Sequence, residues 1–540
     1  MFGSLPQFLE DLVATLAPMQ RAANDTYWKF TTTGEKKYEE EVTRLQIALR
    51  KVFADPARFA ELKRLTAAGE ARPDPLLARQ ATLLTQAFTA NQMDDATIEE
   101  LTHREIAIES IFNSFRAELN GKKVTENELK ELLRDAHDVT VRREAWEASK
   151  QVGAEVAGQL VELVELRNAI ARRIGFDDFY RMHLILQELD EVELFATFDE
   201  LDRLARPVYT RYKAELDGQL AGLYGVQAAD LRSWHYADPF FQEAPAADPA
   251  VRQFLADAYK NQNIEALTRC FYQSIGLVVD DVLARSDLYE REGKQQHAYC
   301  MNVDREQDVR ILANIKPNEQ WLSTMLHESG HAVYDKNIDP SLPYLLREPA
   351  HTLFTEAIAM LMGRLSSDPT WLVEYVPGVS AQEVAALAPK LRKQVAGQLI
   401  IMSRWIPVMS QFERALYANP RQDLNTLWWD MEERWQRVPR PEGRHAPDWA
   451  AKIHFSIAPV YYHNYLMGEM IASQIRHYVD TQLPGAGVDP GRRFVTDPAV
   501  GRYLTERIFR PGARRIWYEA LEHATGERLR PQYFVAQASA

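Results

Sequence analysis

The chain reads mostly at the helical period. In "SLPQFLEDLVATL" the apolar positions Leu5, Phe8, Leu9, Leu12, Val13 and Leu16 fall on one face. Ser4 and Gln7 have the spacing of a capping box, with Pro6 in the first turn. The same pattern predicts helices over 41–53, 99–119, 157–175 and 194–216. Glu and Lys or Arg often stand three or four apart on the polar faces, as solvated helices prefer. Breaks rich in Pro and Gly occur at 71–75, 438–448 and 483–491, none long enough for an interdomain linker. One region differs: "QHAYCMNV" (296–303) and the alternating "VRILANI" (309–315) flank the turn "DREQD" and predict a β-hairpin. Such a hairpin either offers an edge strand to a peptide or only completes the core.

Composition adds limits. The chain has 540 residues, 46% hydrophobic and 26% charged, ordinary for a globular protein with a large core. We expect one mainly α domain over 1–540. Two cysteines, Cys270 and Cys300, make no disulfide framework and suggest reduced thiols in the cytoplasm. The first residues lack a basic segment and carry Glu10 and Asp11, which argues against a secretory signal. Apolar runs such as "VAGQLIIMS" are too short to span a bilayer. The net charge of −14 disfavours nucleic acid and anionic membrane as partners. Nothing here fixes an oligomeric state.

The stretch "LSTMLHESGHAVYDK" (322–336) carries the chemistry. His327 and His331, four apart on a helix, stack on one face about one turn apart and can reach one ion. Glu328 lies close enough to take a proton from a metal-activated water without being a ligand. Incidental histidines on a surface helix are the competing account. Gly330 weighs against it, because glycine inside a helix costs about 1 kcal/mol relative to alanine and usually has a reason. A catalytic zinc needs a third protein ligand. Asn337 stands at the metzincin position and is a poor ligand, and a thermolysin-like spacing falls on Ala350 and His351. The next helix, "HTLFTEAIAMLMGRL" (351–365), carries one acid, Glu356, among apolar residues. Burying it unpaired would be costly, so either a cation meets it or it faces solvent.

Together, "HAYCMNVDREQDVRILANIKPNEQWLSTMLHESGHAVY" and "PAHTLFTEAIAML" resemble the angiotensin-converting enzyme family of zinc peptidases and, more distantly, the thimet oligopeptidase family. Both carry HExxH with a downstream glutamate, as Glu356 stands to His331. The segment "DWAAKIHFSIAPVYYHNYLMGEMIASQI" also looks similar, although without the zinc motif "SIAPVYYHNYL" reads more readily as an aromatic core helix. The resemblance implies a two-lobed helical peptidase with a deep cleft, the hairpin at the cleft wall, and one zinc on His327, His331 and Glu356. It implies Glu328 as the base, with His454 and Tyr465 stabilising the oxyanion. It implies Lys452 and Tyr462 on a substrate's terminal carboxylate, and His297 and Ala298 on its main chain. Short peptides would be the substrates, cut as dipeptides from the C-terminus or as an oligopeptidase cuts. A single-residue carboxypeptidase and a non-catalytic zinc- or peptide-binding protein are the alternatives.

The sequence departs from the pattern in four places. The family's carboxylate-holding glutamine falls near Asp257, an acid that would repel a carboxylate. Asn464 replaces the arginine linked to chloride activation in the animal enzymes. Met360 replaces an acid one turn after the third ligand. The spacing before Tyr462 needs a one-residue shift.

Overall fold

The computed structural model of the chain describes residues 2–69, 74–245, 248–295, 297–483 and 489–539. It is a mainly α structure, as the periodicity predicts, and its described strands form two two-stranded sheets. The first helix runs Leu5–Thr33. Ser4 caps it by accepting from Gln7 N–H, and Leu5, Phe8, Leu9, Leu12 and Leu16 are buried. These side chains pack with Leu62, Leu65, Leu84 and Phe88 in a small separate core. The readings at 41–53, 157–175 and 194–216 fall within or nearly within helices Lys36–Ala54, Gln151–Arg173 and Glu191–Tyr224. Of the predicted breaks, residues 71–73 and 484–488 lie outside the described residues. Among the described residues, no helix is long and apolar enough to cross a membrane.

One helix prediction fails. The pattern over 99–119 ends early, at Ser114 of helix Asp95–Ser114. Ala117–Leu119 (β1) instead pairs antiparallel with Lys122–Val124 (β2). Between them Asn120 and Gly121 have φ of 51° and 74°. Both values are left-handed, as a two-residue I′ hairpin turn demands, and Asn-Gly is the preferred pair for it.

The other hairpin lies where the sequence put it. Tyr299–Asn302 (β3) pairs with Val309–Leu312 (β4), Tyr299 opposite Leu312 and Asn302 opposite Val309. The far side of β4 is taken by Asp287 and Leu288, whose carbonyls accept from Ala313 and Ile315 N–H. That leaves β3 with no strand partner on its outer edge among the described residues. The hairpin packs on helix Glu319–Lys336, which Asn318 caps by accepting from Trp321 N–H at 2.9 Å.

The main core runs through that helix, the following helix Thr352–Gly363 and helix His463–Thr481. Leu322, Met325 and Leu326 of the first, Leu353, Phe354 and Ile358 of the second and Leu466, Met470 and Ile471 of the third belong to one hydrophobic core. Helix Thr352–Gly363 is the middle layer, packed on both others.

Candidate metal centre

The polar faces of two of these core helices meet. His327, Glu328 and His331 lie on helix Glu319–Lys336, and Glu356 on helix Thr352–Gly363. Ligand atoms of His327, His331 and Glu356 all lie within 4.8 Å of one another. His327 Nε2 stands 3.8 Å from Glu356 Oε2. The helices come this close because Gly330 lies at their crossing: a Cβ there would sit 2.8 Å from Ala359 Cα. Backbone cannot yield as a flexible side chain can. Alanine usually stabilises a helix interior relative to glycine by about 1 kcal/mol, but here overpacking, typically 1–3 kcal/mol, outweighs it. Gly330→Ala is therefore expected to lower the urea midpoint, by about 1–2 kcal/mol in stability, and to weaken zinc binding by spreading the ligands. A variant of raised stability in the same titration would contradict this account of the crossing.

The donors fit a zinc ion. Enclosure pushes the pKa of both histidines down to about 4, helped at His327 by neighbouring His331, so both are neutral and able to ligate. His331 Nδ1 pairs with Thr355 Oγ1 at 2.7 Å, which sets its ring and leaves Nε2 free to ligate. Glu356 is buried, and its Oε2 has no hydrogen-bond partner. A buried carboxylate oxygen without a partner is costly, and a cation removes that cost. Burial and the charge of Glu356 raise the pKa of Glu328 to about 8, against the lowering effect of Cys300 N–H on β3.

The C-terminal residues gather around the same place. Tyr465 is half-buried; burial first, then the charge of Glu356, raises its pKa above the ordinary tyrosine value. Its ring lies 5.4 Å from Tyr461 and 5.3 Å from Tyr462. His454 packs 4.9 Å from the Tyr462 ring, and its Nδ1 is buried without a partner. Burial, then Lys452 and His297, push its pKa down to about 3. His297 is thus within electrostatic reach of His454 but exposed, and half-buried Ala298 directly precedes β3.

Lys452 and Tyr462 come together around a residue the sequence did not suggest. Lys452 Nζ donates to Gln242 Oε1 at 2.9 Å, and Tyr462 OH approaches the same oxygen at 3.5 Å. Trp405 Nε1 donates to Tyr462 OH at 2.9 Å. The reading of Asp257 at this position is corrected: Asp257 is exposed on helix Pro249–Tyr259, where Gln253 donates to it. Gln242 sits in a loop built on Asp238, whose carboxylate accepts from the N–H groups of Phe240, Gln242 and Glu243. No local periodicity marks such a loop. Two more residues were missed: Thr355, which stood out only as a polar neighbour of Glu356, and Tyr461, whose OH donates to Glu356 Oε1 at 2.7 Å. Asn464 is fully buried with neither amide atom partnered, and Met360 is buried.

The model of the family described as "Angiotensin-converting enzyme" matches residues 4–532. The chain is 21% identical to the angiotensin-converting enzyme of Theromyzon tessulatum over 93% of its own length and 87% of that protein's. It is 23% identical to the one of Bos taurus over 71% of its length, which spans 31% of the bovine chain. It is also 20% identical to the "Inactive angiotensin-converting enzyme-related protein" of Caenorhabditis elegans, over 66% of this chain and 41% of that one. With a match over nearly its whole length and a His–His–Glu cluster between two core helices, the chain belongs to the angiotensin-converting enzyme family.

Proposed function

We propose that this protein is an active zinc metallopeptidase that cuts short peptides from the C-terminus, releasing dipeptides. The observation that carries the reading is the cluster of His327, His331 and Glu356, with an unpartnered buried oxygen on Glu356 and Glu328 beside it. Zinc, held by those three side chains, supplies a Lewis acid for the scissile carbonyl and for water. Glu328 takes the proton of the attacking water and hands it to the leaving amine. Tyr465 and His454 donate to the oxyanion that forms on the carbonyl. The neutral state of His454 suits this role, since it donates without being titrated near neutral pH.

Substrate orientation follows from the two ends of the site. The outer edge of β3, which has no strand partner among the described residues and is entered at Ala298 beside His297, can accept a peptide main chain as an added strand. Lys452, Tyr462 and Gln242 form a donor group suited to a terminal carboxylate. In this reading the domain is two-lobed, and its cleft admits only short unstructured peptides. The two cysteines remain free thiols, which suits a cytoplasmic protein.

The test is mass spectrometry of products from a nonapeptide with a free C-terminus and from its amidated twin, with zinc-loaded and chelated protein. Stepwise loss of dipeptides is expected from the free form, with only slow cleavage of the amidated one. Single-residue loss would make it a carboxypeptidase, and internal cuts in both peptides an oligopeptidase. The printed name of the Caenorhabditis elegans relative raises a second reading, a protein that binds without cutting. Absence of chelator-sensitive cleavage would favour it.

A further inference from the structure

Tyr461 has none of the roles above, yet it makes the one side-chain hydrogen bond to Glu356 among the described residues. It follows Val460, whose φ is 53°. A β-branched residue in the left-handed region is strained, and such strain persists only where its surroundings enforce it. Here they do. Val460 is buried, its N–H donates to Glu413 Oε1 at 2.8 Å, and its carbonyl accepts from Gln187 Nε2 at 3.4 Å. The turn carries the Tyr461 phenol to Glu356 Oε1 at 2.7 Å, while Oε2 stays unpartnered on the side of His327.

We infer that Tyr461 is a positioning residue: its phenol holds one oxygen of Glu356 so that the other is presented to the metal. The inference rests on the zinc reading. A glutamate on a helix can swing its carboxylate through several rotamers, and a single fixed donor on Oε1 removes most of that freedom. The donor is neutral, so it leaves the carboxylate's charge for the ion, where an arginine or lysine would compete with it. Thr355 serves His331 in the same manner, also with a neutral hydroxyl.

The experiment compares zinc affinity, by competition with a chromogenic chelator, in the full-length protein and in Tyr461→Phe and Tyr465→Phe. Both variants remove a phenol from one ring cluster, but only Tyr461 bonds a ligand. Loss of an outer hydrogen bond to a ligand typically costs 10- to 100-fold in metal affinity. We expect at least tenfold weaker zinc binding for Tyr461→Phe and a smaller loss for Tyr465→Phe. A smaller than tenfold loss, or equal losses in both, would overturn the inference. Should Tyr461→Phe also lower the melting midpoint of the metal-free protein, the visible spectrum of the cobalt-saturated variant decides. A band shift relative to the cobalt wild type supports the positioning role, and an unchanged spectrum refutes it. If the wild type itself binds no zinc, the functional reading fails first, and the inference with it.

Discussion

Glu328→Gln is expected to reach the zinc content of the wild type at saturating metal and to lose peptide hydrolysis by on the order of 10³-fold or more, at the upper end of what general acid–base catalysis contributes. Glutamine matches glutamate in size and keeps an oxygen to face Cys300 N–H, so helix Glu319–Lys336 has no reason to rearrange. What is lost is the ability to accept a proton from water and release it to the amine. The ligands His327, His331 and Glu356 remain, so metal content by mass spectrometry should equal that of the wild type. Removing a carboxylate beside the cation weakens binding somewhat, which saturating zinc restores. A zinc-loaded Glu328→Gln protein with near-normal kcat would sink the assigned role. A variant that no longer loads zinc would show that Glu328 holds the metal or the fold instead.

The centre was legible in the sequence because its parts are local. His327 and His331 share a face by helical spacing alone, and Glu356 stood out as the one acid in an apolar helix. Gly330 stood out as a cost without a visible reason, and the structure supplies that reason at Ala359. Parts defined by distant partners were not legible. Gln242 meets Lys452 across 210 residues of chain, from a loop whose shape comes from the carboxylate of Asp238. Of the three tyrosines of "VYYHNY", the resemblance gives roles to Tyr465 and Tyr462 and none to Tyr461, because which phenol meets which partner depends on the left-handed turn at Val460. Nothing about a valine announces such a turn. The early end of helix Asp95–Ser114 is different in kind. Asn120-Gly121 is a strong hairpin signal, and the helical period running up to it was followed too far.

Lys452→Met should cost a free-C-terminus peptide on the order of 10²–10³ in kcat/KM while leaving the slow cleavage of its amidated twin nearly unchanged. The ammonium of Lys452 is buried among the rings of Phe240, Trp405 and Tyr462, 4.8, 5.2 and 5.6 Å from their centroids. Its hydrogen bond goes to a neutral amide, and it forms no ion pair among the described residues. Asp238, Glu243 and Glu126 act on it only from beyond contact distance, and a substrate carboxylate would be its direct ion-pair partner. Removing one partner of a buried, hydrogen-bonded charge pair costs about 2–5 kcal/mol, which brackets the predicted loss. Methionine keeps the length and the contact with the rings, so the aromatic box should not collapse. The comparison of the two peptides separates the possibilities. Equal losses for both would mean that Lys452 only supports the fold around Gln242. No loss for either would place the carboxylate elsewhere. A loss confined to the free form would leave the amidated peptide as the measure of what the centre achieves without its anchor.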